Sequence, residues 1–363
     1  MPSPSTPTAL PIGEVKLSCR HLWKVFGAHP RQFFGADMDT ASRIARIKAE
    51  AHVPAVSDVS FDVAAGEIFV LMGLSGSGKS TVLRSLSSLV APTHGEIVYE
   101  GRDLAHMSKS ELIDLRRHKM GMVFQSFGLL PHLTVLDNVA FPLKIQGVGR
   151  TERLRRAGEY IVLVGLGGKE HAMPRELSGG QQQRVGIARS LAVGPDLWFL
   201  DEPFSALDPL IRRQMQDEFV GLQSRLNKTI IFVTHDFLEA LKIADRIAIM
   251  KDGQVVQIGT PTDLVLNPAD DYVAEFTADV PVTRVLSAAH VMEPGHAENA
   301  PSVAAGTSLE DVLSRFNLAA GPVNVDGPRG PLGRITATGL AAALHGGRPG
   351  QGVGQDNTRG ARA

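Results

Sequence analysis

A glycine-rich segment followed by a lysine and a serine is the clearest chemical signal in this chain of 363 residues. The segment reads Gly73-Leu74-Ser75-Gly76-Ser77-Gly78-Lys79-Ser80, with Thr81 next. Glycines allow backbone N–H groups to wrap around phosphate oxygens, because a Cβ atom would intrude. The lysine supplies positive charge to the β- and γ-phosphates, and the serine hydroxyl can ligate Mg²⁺. The pattern predicts a phosphate-binding loop, which kinases, GTPases and motor proteins also contain.

A second segment narrows that range. It reads Leu177-Ser178-Gly179-Gly180-Gln181 and precedes a helix predicted to run to about Leu191. Ser178 and Gln181 have the spacing of a capping box. The two glycines leave a helix end with free N–H groups and no anion from its own chain, which suits a γ-phosphate. An ordinary capped surface helix is the alternative interpretation.

Polar residues of catalytic type follow three apolar runs of the chain. Asp201 and Glu202 end one run, Gln125 follows a second and His235 follows a third. Consecutive strand residues face opposite ways, so the two carboxylates need not share one role. At the carboxyl edge of a parallel sheet with a phosphate loop, such groups can hold a metal and activate water. Each residue alone has an ordinary alternative, as a solvated acidic turn, a surface amide or a core histidine.

The elements that must position these residues read as an α/β fold. From Val56 to about Ile258, short apolar runs alternate with helical segments, which predicts a mainly parallel sheet covered by helices. The predicted strands are Ile68–Met72, Gly121–Phe124, Leu197–Leu200, Ile230–Val233 and Ile247–Met250. The helix after the phosphate loop is expected to bury Val82, Leu83, Leu86, Leu89 and Val90. Asp252-Gly253 predicts a hairpin turn.

The remaining segments add a short strand and turn at residues 14–26 and one helix over Asp39–Ala51. The net charge of -1 and the 6% aromatic content give no general attraction for nucleic acid. Cys19 is the only cysteine, which excludes an intrachain disulfide. There is no run of about 18 apolar residues, so the sequence predicts no membrane-spanning helix.

These motifs, in this order, resemble the ATP-binding subunits of ABC transporters over residues 14 to about 280, where Leu177–Gln181 matches the family's signature motif. The resemblance implies a P-loop NTPase fold of the ABC type, with a mixed sheet in a RecA-like core and a helical subdomain at about 126–176. It also implies ATPase activity with ATP and Mg²⁺. Two subunits would form a homodimer in which each ATP lies between one phosphate loop and the other copy's signature helix.

The resemblance further assigns roles to single residues. Glu202 is the expected general base, His235 contacts the γ-phosphate, and Ser80, Gln125 and Asp201 serve Mg²⁺. The expected ATP contacts are Phe26, Gly73, Ser75, Gly76, Ser77, Gly78, Lys79, Ser80, Thr81, Ser178, Gly179, Gly180, Gln181 and Asp208. Among these, Phe26 is the expected adenine contact, with Trp23 as the alternative, and Asp208 is expected to cross the dimer interface.

A finer resemblance is to the importer subgroup for glycine betaine, proline betaine and choline. It rests on His21–Gly27 with the inserted stretch 31–52, and on Phe124-Gln125-Ser126-Phe127. Such systems imply integral membrane permease subunits, an extracytoplasmic substrate-binding protein, no nucleic-acid partner, and a place on the cytoplasmic face of the inner membrane. Phe127, Leu129, Leu130, Pro131 and His132 either dock the permease or form the core of the helical subdomain.

The end of the chain resembles part of a regulatory domain. Many members of the subgroup carry two CBS modules there, and Pro331–Thr336 with Leu340–Leu344 is similar to one strand–helix piece. We therefore expect a partial CBS-like tail over 285–345, and disorder over 1–13 and 346–363. The alternative functions are import of a different solute, an ABC ATPase acting on nucleic acid or ribosomes, and a non-hydrolysing regulator. ATPases that act on nucleic acid or ribosomes usually have two ATPase units or a long coiled coil, whereas this chain has one unit and no heptad run. Non-hydrolysing regulators normally lack a carboxylate or the lysine, and this chain has all of them.

Overall fold

A computed structural model describes residues 13–35, 37–318, 320–328 and 330–344. The predicted disordered ends, 1–13 and 346–363, lie outside these residues except for Gly13. The chain divides into two compact units between Pro261 and Thr262. The domain boundary predicted near residue 280 therefore falls inside the second unit.

The first unit contains two sheets. The four-stranded sheet has the order β2-β1-β4-β5 and its pairs are antiparallel. Its strands are β1 (Val15–Phe26), β2 (Val53–Ala64), β4 (His94–Tyr99) and β5 (Arg102–Asp103). The short strand predicted at 14–26 is instead a strand of 12 residues. It is long because Leu17, Cys19, Leu22 and Val25 are all buried along one strand.

The six-stranded sheet has the order β10-β9-β3-β8-β7-β6. Its strands are β3 (Ile68–Met72), β6 (Met120–Val123), β7 (Leu197–Asp201), β8 (Thr229–Thr234), β9 (Arg246–Lys251) and β10 (Gln254–Gly259). All neighbours are parallel except β9 and β10, which form a hairpin. Asp252 and Gly253 both have positive φ at its turn, 49° and 82°. The mainly parallel sheet and the hairpin are confirmed.

Helices cover these sheets. They are α1 (Thr40–Ala49), α2 (Lys79–Leu86), α3 (Lys109–His118), α4 (Val135–Ile145), α5 (Arg150–Leu163), α6 (Gly179–Ala192), α7 (Pro209–Leu226) and α8 (Phe237–Ile243). Short 3-10 turns lie at Pro30–Phe34, Leu104–His106 and Pro174–Glu176. Helices α4, α5 and α6 pack on one another and form a helical layer. This layer includes α6 and so continues past residue 176, where the predicted helical subdomain ends.

The helix after the phosphate loop is shorter than predicted. It ends at Leu86, and Ser88 has a φ of 55°. The carbonyl oxygen of Arg84 then accepts hydrogen bonds from the N–H groups of both Leu89 and Val90, which closes the helix. Leu89 is 49% exposed, so its predicted place on the buried helix face is wrong.

The second unit has its own apolar core around Val291, Val312 and Val325. Strand β11 (Ser302–Ala304) pairs in parallel with β12 (Val323–Gly327), which pairs antiparallel with β13 (Gly330–Ile335). The helices from the unit boundary onward are α9 (Pro261–Leu266), α10 (Asp271–Thr277), α11 (Val282–Val285), α12 (Ala288–Val291), α13 (Leu309–Arg315) and α14 (Ala337–Leu344). The predicted strand–helix piece corresponds to β13 and α14, and its likeness to a CBS module stays a prediction. Within the described part of the chain, the helices are too short or too polar to cross a membrane.

Candidate active site

The order of strands in the large sheet brings the predicted polar residues to one edge. Strands β6, β7, β8 and β3 are parallel neighbours, so their carboxyl ends meet there. Gln125 follows β6, Asp201 ends β7, His235 follows β8, and the phosphate loop follows β3. Residues that lie far apart in sequence therefore share one site because each follows a buried strand.

The phosphate loop is held tightly where it leaves β3. Gly73 has a φ of 151°, and a Cβ atom there would lie 2.2 Å from the carbonyl oxygen of Met250. The loop also meets the other sheet, since a Cβ atom on Gly78 would lie 2.4 Å from the carbonyl oxygen of Ala55. The helix α2 begins directly afterwards at Lys79, so its N-terminal end faces the loop.

Lys79 folds back over this loop. Its Nζ donates to the carbonyl oxygens of Gly73 and Leu74, each at 2.9 Å. Burial lowers the pKa of the Lys79 ammonium, while the nearby carboxylates of Glu202 and Asp201 act in the opposite direction. Lys79 also lines a cavity, where a phosphate oxygen can replace the carbonyl partners of its Nζ.

That cavity has a volume of about 510 Å³. It is lined by Ala55, Leu74, Ser75, Gly76, Gly78, Lys79, Ser80, Thr81, Gln125, Glu202 and His235. The lining thus brings together most of the phosphate loop with three of the predicted catalytic residues. Ser77 is buried beside it, and its backbone oxygen accepts from the N–H of Gly253 at 3.1 Å.

Oxygen ligands suitable for Mg²⁺ lie at one side of the loop. Ser80 Oγ donates to Asp201 Oδ1 at 2.7 Å, and Asp201 is only 3% exposed. The Arg84 guanidinium lies 3.5 Å from the other Asp201 oxygen. Mg²⁺ prefers hydroxyl, carboxylate and amide oxygens, and the side chain of Gln125 reaches the same cavity. The residues present therefore fit a magnesium ion.

Glu202 occupies the centre of the polar cluster. Its Oε2 accepts from Gln125 Nε2 at 3.3 Å and lies 3.3 Å from His235 Nδ1. Its backbone has a φ of 45°, which few glutamates adopt. The Glu202 N–H donates to the Val233 carbonyl oxygen at 3.0 Å, and the Glu202 carbonyl oxygen accepts from Ser205 Oγ at 3.0 Å. This turn aims the Glu202 carboxylate at the cavity, whereas Asp201 points at Ser80.

The signature segment has the predicted cap but does not line the cavity. Ser178 Oγ accepts from the Gln181 N–H at 3.4 Å, and Gln181 Oε1 accepts from the Ser178 N–H at 3.0 Å. The capping box is confirmed at the first turn of α6. Ser178 is exposed, Gly179 is partly exposed, and Gly180 is buried against Ile211 of α7.

Asp208 also lies outside the cavity lining. It caps α7 by accepting from the N–H groups of Leu210 and Ile211 at 3.2 and 3.1 Å, and Pro209 is the first helical residue as predicted. The loop before it is held by the Arg212 guanidinium, which donates to three of its carbonyl oxygens at 3.1 to 3.3 Å. Arg212 also reaches Asp236, the neighbour of His235, at 4.0 Å.

Phe26 ends strand β1 and is 46% exposed, and it too lies outside the cavity lining. The Lys24 Nζ lies 5.1 Å from its ring centroid. Trp23, the alternative adenine contact, is 1% exposed and packs in a small core with Phe33 and Ile47. Because Trp23 is buried, Phe26 is the exposed one of the two aromatic residues considered for the adenine contact.

Sequence reasoning missed three residues of the site region. Ala55 lines the cavity, and its small apolar side chain carries no chemical signal. Arg84 lies one helical turn after Ser80, so the i, i+4 spacing could have suggested that the two share a partner. Arg212 follows Asp208 by the same spacing, but nothing in the sequence shows that its guanidinium turns back to the preceding loop.

Comparison with known proteins identifies the family. A model of the ABC transporter family matches residues 56–205. The trimethylamine N-oxide transport system ATP-binding protein TmoW of Ruegeria pomeroyi is 55% identical over 83% of this chain and 88% of its own length. The glycine betaine/proline betaine transport system ATP-binding protein ProV of Escherichia coli is 44% identical over 91% of this chain and 85% of its own length.

A solved structure agrees with the sequence relatives. The dimeric structure of a post-hydrolysis state of the ATP-binding cassette MJ0796, bound to ADP and Pi, is 33% identical with a TM-score of 0.57. The match covers 68% of this chain and 98% of that one. The predicted ABC-type ATPase fold and the predicted resemblance to ABC transporter ATP-binding subunits are therefore confirmed. This chain belongs to the ABC transporter family, among its ATP-binding subunits.

Proposed function

We propose that this chain is the ATP-hydrolysing subunit that powers ABC-type import of a solute with a methylated ammonium group. The single observation that carries the hydrolytic role is the Glu202 carboxylate, set between Gln125 and His235 beside the phosphate loop. The names of the relatives support the solute class, since they include trimethylamine N-oxide, glycine betaine and proline betaine. Each of these solutes, like choline, has a tetrahedral nitrogen with a formal positive charge.

The hydrolytic step uses groups that already point at the cavity. Glu202 takes a proton from the attacking water, and Gln125 orients that water through its amide. His235 donates a hydrogen bond to the γ-phosphate, while Lys79 and the N–H groups of the loop hold the β- and γ-phosphates. Ser80, Gln125 and Asp201 would hold Mg²⁺, which would neutralise phosphate charge there.

The substitution Glu202→Gln tests the hydrolytic role. It keeps the shape and the contact with Gln125 but removes the base, so ATP hydrolysis should fall by about 10²- to 10⁴-fold while ATP still binds. Glu159→Gln, on an exposed glutamate of α5, is the matched control and should hydrolyse ATP normally. Hydrolysis at the wild-type rate by Glu202→Gln would remove Glu202 from its role.

The working unit is proposed to be a homodimer that closes over ATP. Support comes from the capped end of α6 at Ser178, which is exposed and lies outside the cavity, and from the dimeric structure that resembles this chain. Leu74 in the phosphate loop is 60% exposed, and Leu210 at the start of α7 is 75% exposed. A second copy would cover these apolar side chains and place a helix end against the γ-phosphate.

Mixing two inactive variants tests this arrangement. Lys79→Ala spoils the phosphate loop and Ser178→Arg spoils the signature helix, so each homodimer should be inactive. A mixed dimer regenerates one intact site, and random mixing should restore about a quarter of wild-type hydrolysis. Because a site built from a single chain cannot be repaired by mixing, a mixture without activity contradicts the composite site.

Permease subunits are proposed to dock at the start of the helical layer, at the cytoplasmic face of the inner membrane. The Asn138 side chain makes hydrogen bonds with the backbone of Leu130, Leu133 and Thr134, and so fixes the turn that presents Pro131 and His132 to solvent. On α4, which follows that turn, Phe141 and Ile145 are also exposed. An apolar surface of this kind suits a short helix of a membrane partner.

The substitution Leu130→Asp tests the docking surface. It should lower recovery of the chain with co-expressed permease, because a buried carboxylate in the interface is costly. Val162→Asp at the end of α5 is the control, since Val162 is 66% exposed and outside the proposed surface. Unchanged association and transport with Leu130→Asp would rule out docking there.

The solute requires a test with the whole importer, since selectivity lies in other chains. Vesicles containing this chain and its permease should hydrolyse ATP faster when the extracytoplasmic binding protein is loaded with glycine betaine, proline betaine, choline or trimethylamine N-oxide. Methionine is the control solute without a methylated ammonium group. Stimulation by methionine alone would contradict the proposed solute class.

A further inference from the structure

His52 has a backbone carbonyl against each of its ring nitrogens. Nδ1 lies 2.6 Å from the carbonyl oxygen of Glu50, and Nε2 lies 2.7 Å from that of Ala28. A carbonyl oxygen can only accept a hydrogen bond, so both nitrogens must donate. Neutral imidazole carries one N–H group, and the arrangement therefore requires the imidazolium cation.

This cation lies directly behind the proposed adenine contact. A Cβ atom on Gly27 would lie 2.0 Å from His52 Cδ2, so the ring packs against the backbone of the residue that follows Phe26. Phe26 pairs with Val53, the residue that follows His52, at the end of β1 and β2. His52 therefore links the segment that follows β1, at Ala28, to the segment that precedes β2, at Glu50.

The charged groups near His52 come from α1 and β1, and a neutral amide comes from the 3-10 turn. Glu50, at the end of α1, is held by Arg46 Nε at 3.1 Å and by Gln32 Nε2, from the 3-10 turn, at 3.3 Å. On β1, the charged group beside Phe26 is Lys24, whose Nζ lies 5.1 Å from the Phe26 ring centroid.

The balance of these surroundings favours the cation. The two carbonyl contacts, first that of Ala28 and then that of Glu50, raise the pKa of His52, and the Glu50 carboxylate adds to them. Partial burial acts in the opposite direction without reversing the shift. The Phe33 ring meets the imidazole in a T-shaped arrangement, with ring centroids 5.0 Å apart.

We propose that the His52 cation is a positioning residue for adenine, holding the Gly27–Ala28 turn so that the Phe26 ring stacks on the base. The inference rests on the proposed function and on the adenine contact expected at Phe26. When His52 loses its proton, one nitrogen lone pair faces a carbonyl oxygen, and the attraction becomes repulsion. The turn is then released, and the affinity for adenine nucleotides falls as pH rises.

Calorimetric titration of the full chain with MgADP and with magnesium pyrophosphate isolates the contribution of the adenosine part of the nucleotide. Between about pH 6 and 9, MgADP affinity should fall about fivefold relative to pyrophosphate affinity. His52→Arg keeps a permanent cation and should keep tight MgADP binding without this pH dependence. His52→Gln, whose side chain carries no charge, should bind MgADP at every pH about fivefold more weakly than the wild type does at pH 6.

The neighbouring exposed histidine supplies the control, since His29→Gln should keep the wild-type profile. A wild-type profile in His52→Gln overturns the inference, and so does Phe26→Ala with unchanged MgADP affinity. If His52→Arg unfolds, the flat profile of His52→Gln still decides the result. Failure of the wild-type protein to bind either probe would refute the proposed function instead.

Discussion

Replacement of two glycines in the phosphate loop separates their structural and functional roles. Gly73 and Gly76 both have positive φ, 151° and 81°. A Cβ atom on Gly73 would lie 2.2 Å from the Met250 carbonyl oxygen and 2.8 Å from Ser77 Oγ. A Cβ atom on Gly76 would have no neighbour within 4 Å, although Gly76 lines the cavity. Gly73→Ala should therefore strain the fold, whereas Gly76→Ala should mainly obstruct phosphate.

The expected magnitudes follow from these distances. A left-handed backbone costs an alanine about 1–2 kcal/mol, and the collision at Gly73 adds about 1–3 kcal/mol of overpacking. Gly73→Ala should lower the free energy of unfolding by about 3 kcal/mol. Gly76→Ala should lower it by about 1 kcal/mol, since alanine also restricts the unfolded chain.

Urea unfolding without nucleotide measures the difference, and the two buried tryptophans, Trp23 and Trp198, provide the fluorescence signal. ATP titration of the same variants should show at least about tenfold weaker binding for both, because each methyl group disturbs the cradle. If Gly73→Ala is as stable as Gly76→Ala, the proposed collision with the Met250 carbonyl is wrong.

Three further predictions test the surroundings of the site. Ser190→Ala leaves the buried Trp198 Nε1–H, now 2.9 Å from Ser190 Oγ, without a partner, and urea unfolding should show a loss of about 1–3 kcal/mol with normal hydrolysis. Lys79→Met should abolish ATP binding by calorimetry without lowering the unfolding free energy, because burial lowers the Lys79 pKa. The folded protein holds that proton less tightly than the unfolded chain, so the stability of the wild type relative to Lys79→Met should rise with pH between the lowered pKa of the folded protein and the ordinary lysine pKa of the unfolded chain. Arg212→Ala frees the loop before Asp208, and the rate of ATP hydrolysis should fall with little change in KM.

The parallel strands and the edge where the site forms could be predicted from the sequence. Strands buried on both faces have continuous apolar runs, such as Leu197–Leu200 and Ile230–Val233, and these runs are easy to locate. Once the runs are known to be parallel, the residues that follow them must share one edge. Gln125, Glu202 and His235 therefore line one cavity as the pattern indicated.

The local backbone could not be predicted in the same way. Glu202 at φ 45° is fixed by hydrogen bonds with Val233 and Ser205, which the sequence around Glu202 does not reveal. The end of α2 before Leu89 depends on a turn at Ser88 that has no glycine or proline to mark it. In each case the conformation depends on contacts elsewhere in the fold, and local propensity carries little information about them.

The position of β3 has a consequence for synthesis of the protein. Ile68 pairs with Ile230 of β8, and Val70 pairs with Ile247 of β9. Strand β3, which leads into the phosphate loop, is therefore synthesised long before the strands that it pairs with. Until those partners leave the ribosome, its apolar edge is open to other chains, which makes aggregation a hazard of the growing polypeptide. Folding should therefore be slow, dominated by distant pairings, and nucleotide should bind only after nearly the whole first unit has been made.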